Sequence, residues 1–420
     1  MFSTIKNAWK IPDLRNKILY TLLMLVIFRL GANIPVPGID GVKLASLFSN
    51  DDGLLSIFNL MSGGAFKNFT LFALGISPYI TASIILNLLQ IAIPSLEQLA
   101  KQGEVGRKKI VQMTRYGTVV LALIQGIGFS IGIYRNAFVD FNALTVAIAV
   151  ITLTAGTAFL MYLGEHITEK GIGNGISLFI FAGIVARLPD SILTTINGML
   201  NNEINIISVL IFIVVALFII AGVIMIQQGT RKIPVQYAKR VVGRKMYGGQ
   251  NTHIPLKVNQ AGVIPVIFAI SILSFPQTIA SFMPNSGFAT FIGKWFASNG
   301  VAWTVSQLLL IIFFTYFYTS VSFNPFDIAE NMKKNGGFIP GIRPGKPTVE
   351  YLQRSVSRLT LVGALFLGFI AVLPNVILNF TDLSIQFGGT SLLIVVGVAL
   401  ETSRQIEAQM TMRHYQGFLK

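Results

Sequence analysis

The sequence predicts an all-α polytopic membrane protein, with ten transmembrane helices arranged as two halves of five. Three observations carry that reading: only 12% charged residues, a mean hydropathy of +0.68, and ten apolar runs separated by basic connections. A soluble chain of this length carries about twice that charged share. The composition also excludes much chemistry. With no cysteine there are no disulfides, thiolate metal sites or cysteine nucleophiles. His166, His253 and His414 are scattered and carboxylates are few, so a metal centre or hydrolytic triad lacks material.

The runs follow in order from the N-terminus. The basic stretch MFSTIKNAWKIPDLRNK precedes the first, Arg29 interrupts that run, and no small-residue cleavage site follows it. It therefore reads as a retained span rather than a signal peptide. A bilayer core needs about 20 apolar residues. The candidates lie at 18–36, 72–93, 116–134, 143–164, 174–188, 206–227, 259–283, 303–323, 357–379 and 387–402. The second and seventh contain proline and several polar residues, which need water or protein neighbours inside a membrane.

Basic residues set the orientation. If both termini and connections 2–3, 4–5, 6–7 and 8–9 share one side, that side holds 26 Lys or Arg. The opposite side has only Lys43, Lys67, Arg135, Arg187 and Lys294. The positive-inside bias places the termini in the cytoplasm and supports an even span count. The connection PDSILTTINGMLNNEIN at 189–205 divides the spans five and five. Two related halves of five would be inverted relative to one another, with a functional site between them. The boundary falls between 1–196 and 197–420.

Several segments do not fit simple spans. GLLSIFNLMSGGAFKNF, at 53–69, offers two to three apolar helical turns before Gly63-Gly64, too short to cross a bilayer. It reads as a re-entrant or cavity-plugging helix, or as an amphipathic helix resting on the interface. Ile76 and Ile80 are four residues apart in span 2, and Ile176 and Ile180 repeat the spacing in span 5, so each pair shares a helix face. Alone, such pairs mark packing or lipid contact far more often than a gate. The glycines of GIGNGIS follow a charged turn rather than a strand, which rejects a nucleotide fingerprint. No span carries Asp, Glu, Lys or His near its centre, unlike most ion-coupled pumps.

Two connections are unusually rich. RKIPVQYAKRVVGRKMYGGQNTHIPLK, at 231–257, has seven Lys or Arg and no acid. Ile233, Val235 and Tyr237 alternate there, and GRKMYGG has the composition of a hairpin turn. The expected hairpin covers 231–247, with THIPLKVNQ leading into span 7. The connection 324–356 is Gly/Pro-rich and longer than a simple connector. Solvated topogenic loops would explain the charge, whereas Pro, Gly and aromatic residues point to shaped surfaces.

At this point the chain resembles the SecY family, the central subunit of the bacterial protein-conducting channel, over essentially its whole length. The matching strings are FRLGANIPVPGID, FNLMSGGAF, FALGISPYITASII, GRKKIVQMTRYGT, GEHITEKGIGNGIS, THIPLKVNQAGVIP, NGGFIPGIRPG and FGGTSLLIVVGV. The resemblance implies two halves in inverted pseudo-symmetry around a central pore. It implies an apolar ring of Ile76, Ile80, Ile176, Ile180, Ile267 and Ile394. It assigns a plug to about 53–66, with Leu54, Leu55, Ile57, Phe58, Leu60, Met61, Gly63 and Gly64. A lateral gate of spans 2 and 3 against 7 and 8 would carry the polar cluster Thr81, Gln125 and Asn259, bonding across the seam.

Loops 228–258 and 324–356 would dock the SecA motor and the ribosome through Arg240, Arg244, Lys245 and Arg343. SecE and SecG subunits, signal peptides, nascent polypeptides and membrane lipids complete the implied partners, in a bacterial plasma membrane. The family needs no cofactor and catalyses no reaction. The reading to weigh against it is a five-plus-five inverted-repeat transporter of a small solute, which requires polar or ionisable groups converging at the midplane. Isoleucines stand there instead. An intramembrane enzyme would need a charged or cysteine dyad that the spans lack.

Overall fold

Apolar runs become helices throughout the computed structural model. It describes residues 2–41, 43–44, 59, 62–201, 204–237, 240–242, 245–247, 251–282, 286–296, 300–380 and 389–417. The first half comprises α1 (Phe2–Trp9), α2 (Pro12–Gly31), α3 (Ser77–Ala92), α4 (Pro94–Lys101), α5 (Glu104–Gly132), α6 (Ala143–Lys170) and α7 (Gly175–Ala186). Then come α8 (Leu188–Leu200), α9 (Ile206–Gln228), α10 (Ile264–Phe282), α11 (Gly287–Trp295), α12 (Val301–Ser322), α13 (Pro325–Lys334), α14 (Lys346–Phe380) and α15 (Gly389–Gly417). A helix therefore occupies each of the ten apolar runs.

Among the described residues, six helical stretches are long and apolar enough to cross a membrane. A seventh appears if α3 and α4, bent by 101° at Ile93, form one broken span. The protein is thus a helical multi-pass membrane protein. Its lipid-facing surface is written in α9, whose Leu210, Val214, Leu217 and Phe218 are all exposed although the helix is almost wholly apolar.

Two boundaries differ from expectation. Helix α3 starts at Ser77 rather than near residue 72, because Gly75 adopts the left-handed conformation (φ 58°) and Pro78 occupies the first turn. The supposed connection 189–205 is largely helix α8. Pro189 fits its first turn, and Ser191, Thr194 and Thr195 on one face masked the apolar face opposite.

Close backbone approaches set the packing. A Cβ on Gly175 would lie 2.0 Å from the Gly164 carbonyl oxygen, so α6 and α7 touch through two glycines. Helix α7 is capped by Asn174, whose side chain accepts from the Ile176 and Ser177 amides. Helices from the two ends of the chain meet along two seams. Helix α10 packs on α3 and α5, with Phe129 and Phe282 edge to face, and α15 packs on α7 and α1. Hydrogen bonds from the Gly173 amide to Gln405 and from Lys17 to Gln409 tie the second seam.

The two rich connections fold as one unit, an addition to the all-α expectation. Strand β1 (Thr230–Tyr237) pairs antiparallel with β4 (Asn251–Lys257), and between them in the chain β2 (Arg240–Val242) pairs with β3 (Lys245–Tyr247) as a separate two-stranded sheet. THIPLK is therefore the return strand, not merely a lead into α10. Its apolar Ile254 and Leu256 alternate as those of β1 do, which satisfies a two-residue sheet period. From the second connection, β5 (Gly337–Phe338) pairs with β1 through Gln236–Phe338 and Tyr237–Gly337, giving the order β4-β1-β5. Ile233, Val235 and Leu256 form a small core with Ala329 and Met332 of α13, Ile339 just after β5, and Leu352 and Val356 of α14.

Gly337 is required there. A Cβ would sit 2.9 Å from the Tyr237 ring. Gly337→Val is expected to detach β5 at a cost of about 1–3 kcal/mol. Limited trypsinolysis reads this as faster cleavage after Lys333 or Lys334; unchanged cleavage would count against the join.

Candidate functional site

Ile76 forms the N-cap of α3 and Ile80 lies one turn on, both buried. Ile180 is buried on α7, Ile267 on α10 and Ile394 on α15. All five belong to one apolar cluster, and Ile176, half-buried, packs against it. The six isoleucines therefore lie in or against one extended apolar cluster that also takes in many other side chains. Each position has a local cause: the Gly75–Pro78 start fixes α3, the Asn174 cap fixes α7, and Gly262 (φ 65°) turns the chain into α10. Buried Thr81, Ser177, Ser271 and Ser274 stand on the same helices beside these apolar side chains.

The plug assignment lies mostly elsewhere. Leu54, Leu55, Ile57, Phe58, Leu60 and Met61 are outside the described residues. Gly63 and Gly64 are described and take positive φ values of 65° and 94°. Arg29 donates from Nη1 to the Gly63 carbonyl oxygen at 2.8 Å, and a Cβ on Gly63 would meet the Gly183 Cα at 2.8 Å. The far end of that segment is therefore seated against α2 and α7. Sequence reading missed Arg29 as its anchor, although a lone arginine within an apolar run was the available signal.

The three polar residues on the proposed gate helices are buried, but not bonded to one another, contrary to expectation. Thr81 Oγ1 donates to the Ser77 carbonyl, and Asn259 Nδ2 to the Gly262 carbonyl at 2.9 Å. Gln125 Oε1 and Asn259 Oδ1 have no partner among the described residues. Local backbone acceptors one turn away, or across the Gly262 bend, outcompete side chains on a neighbouring helix. Buried amides left with spare capacity weaken the seam they occupy.

In the folded connections, Arg343 is exposed in the turn between β5 and α14, bounded by Gly341 (φ 81°) and Gly345 (φ 101°). Its carbonyl accepts from the Thr348 hydroxyl at 2.9 Å, which fixes the turn. Arg240 and Lys245 lie on β2 and β3, and Arg244 falls outside the described residues. The join through β5 places Arg343 beside the β1–β4 hairpin, while Arg240 and Lys245 lie on the separate β2–β3 pair.

Fold and site together define a class: a multi-pass helical membrane protein with a large apolar core between its helices and a small sheet at one end. No group of three or more His, Asp or Glu among the described residues could hold a metal. The SecY family model matches residues 70–403. The protein translocase subunit SecY of Halalkalibacterium halodurans is 50% identical over 433 residues, covering all of both chains. Among solved structures, a SecY channel whose plug domain is described as stabilising the closed state and maintaining a membrane seal shares 21% identity. It has a TM-score of 0.68 over 94% of this chain and 92% of that one. Sec61 from a canine ribosome-channel complex shares 19% identity, with a TM-score of 0.58 over 94% and 92%. The chain belongs to the SecY family, whose members are protein-conducting channels and not enzymes.

Proposed function

We propose that the chain is the pore subunit of a secretory translocon in a bacterial plasma membrane, passing unfolded polypeptides outward and releasing apolar segments sideways into lipid. Ten helices cross the bilayer in this reading, as halves 1–196 and 197–420 in inverted pseudo-symmetry, with both termini in the cytoplasm. The observation that carries it is the meeting of six isoleucines from both halves in one apolar cluster. An apolar closure dewets and blocks ions, yet its walls fit any side chain that passes. The segment 53–66 acts as the plug, its Gly63 end seated by Arg29. The plug of a related channel is described as maintaining a membrane seal.

The lateral gate is the seam of α3 and α5 against α10 and α12, with Thr81, Gln125 and Asn259 lowering its cohesion. A buried seam with unpaired amides yields to an apolar signal sequence, which then partitions towards lipid. The folded pair of loops docks SecA and the ribosome through Arg240, Arg244, Lys245 and Arg343, since a guanidinium bonds phosphates and carboxylates alike. A related Sec61 is found in a ribosome-channel complex. SecE and SecG complete the assembly.

The test is reconstitution of the purified complex in vesicles with SecA, ATP and a signal-bearing chain; no protease-protected product would overturn the reading. In the same assay Arg343→Glu is expected to slow export on the order of tenfold, as reversal of a steering charge does. Its own membrane insertion should be unaffected. Normal export would remove Arg343 from the docking surface.

A further inference from the structure

A cavity of about 530 Å³ opens between the outer ends of α2 and α7 and the start of α8. It lies at the N-terminal end of α9, since Ile204 lines it, whereas the β-sheet follows that helix's C-terminus. The 23 residues of α9 separate the two by about 34 Å, so cavity and sheet occupy opposite membrane faces. Arg29, Lys67 and Arg187 line the cavity, and Asp190 is the one carboxylate among its described lining residues.

Both guanidiniums have capacity to spare. Arg29 donates from Nη1 to Gly63, and Arg187 Nη1 is buried with no partner among the described residues. An arginine offers five donors, so an anion there meets a fork already desolvated. Arg187 stands where the C-terminus of α7 meets the N-terminus of α8, so the two helix dipoles offset there and the charge of the cavity comes from its side chains.

A second observation says what kind of anion fits. Ser191, Thr194 and Thr195 of α8 line the cavity, while Ile192, Leu193, Ile196 and Leu200 are exposed. One short helix thus presents hydroxyls towards the cations and an apolar side outward. The threonine hydroxyls now donate to the carbonyls of Asp190 and Ser191, bonds that a stronger, charged acceptor displaces. An amphipathic helix beside a cationic cavity at a membrane face is arranged for a lipid: phosphate inside, acyl chains along the apolar side.

We propose that this cavity binds the phosphate of an anionic phospholipid headgroup in the leaflet opposite the docking sheet. The inference rests on the membrane-spanning reading of α9. Free phosphate shares the ligand chemistry, and the test separates the two sources. The assembled complex is reconstituted in nanodiscs of equal phosphatidylcholine and phosphatidylglycerol, extracted, and its retained lipids counted by native mass spectrometry. Phosphatidylglycerol should be retained in preference, and Arg187→Gln should reduce that preference about tenfold, equivalent to about 1.4 kcal/mol. Lys67→Gln, at an exposed position, should reduce it less while leaving the fold intact.

Equal retention by wild type and both variants overturns the site. If inorganic phosphate stabilises lipid-free wild-type protein but not Arg187→Gln, and phosphatidylglycerol shows no preference, the headgroup assignment is overturned in favour of free phosphate. Export by the same wild-type sample reports on the channel reading independently.

Discussion

Replacing Ile80, Ile180, Ile267 and Ile394 together by serine is expected to make the resting channel leak ions. Each side chain is buried in the shared cluster. Serine shortens the wall and introduces a hydroxyl, so the constriction both widens and wets. A permeation barrier lowered by only about 1.4 kcal/mol already raises flux about tenfold. Conductance across planar bilayers, without SecA or ribosomes, measures this directly. Ile85→Ser is the control, because Ile85 lies on the same helix but is exposed. An unchanged seal in the fourfold variant would show that these isoleucines only pack.

The second large effect concerns Gly175. Its missing Cβ is what lets α7 lie against α6, with the Gly164 oxygen 2.0 Å from where that atom would be. The obstacle is backbone, which cannot rotate aside, so Gly175→Val must push the helices apart. Overpacking of this kind costs about 3 kcal/mol. It would also displace Ile176 and Ile180, which α7 carries. The expected outcome is a lower midpoint of thermal unfolding in detergent and a raised resting conductance in whatever protein survives. Gly287→Ala should change neither, since nothing lies within 4 Å of its added Cβ. Similar midpoints for the two variants would rule out the close approach.

Much of this was legible in the sequence because membranes impose a simple rule. Backbone groups in lipid must be bonded within the helix, so apolar runs declare their structure. The ten runs accordingly became helices, and the alternation of Ile233 and Val235 anticipated a strand that buries both. Helix α8 was hidden because its polar face belongs to a cavity formed by α2 and residues 62–68, remote in sequence. The union of the two loops was also hidden. Its strand pairing rests on two residue pairs whose members lie far apart in the chain, and two residues of β5 carry no periodicity. The isoleucine ring came from the family resemblance: the spacing in α3 and α7 alone reads as packing or lipid contact, and Ile267 and Ile394 carry no local signal. The polar trio shows the opposite case. Its residue types were plain, yet bonding partners depend on which acceptor lies nearest, and those proved local.

The base of the long hairpin carries a mechanical implication. The Val258 amide bonds the Gly229 carbonyl at 2.9 Å, next to the Thr230–Lys257 pair, where the chain leaves α9 and turns towards α10. This clasp joins the roots of the two helices like a yoke, while β5 braces the hairpin from the side. A load on β1 or β4 therefore cannot bend one strand alone. It tilts the roots of α9 and α10 as a pair, or it first breaks the clasp. Any outward swing of α10 along its seam with α3 and α5 is thereby geared to α9, the most lipid-exposed of the apolar helices.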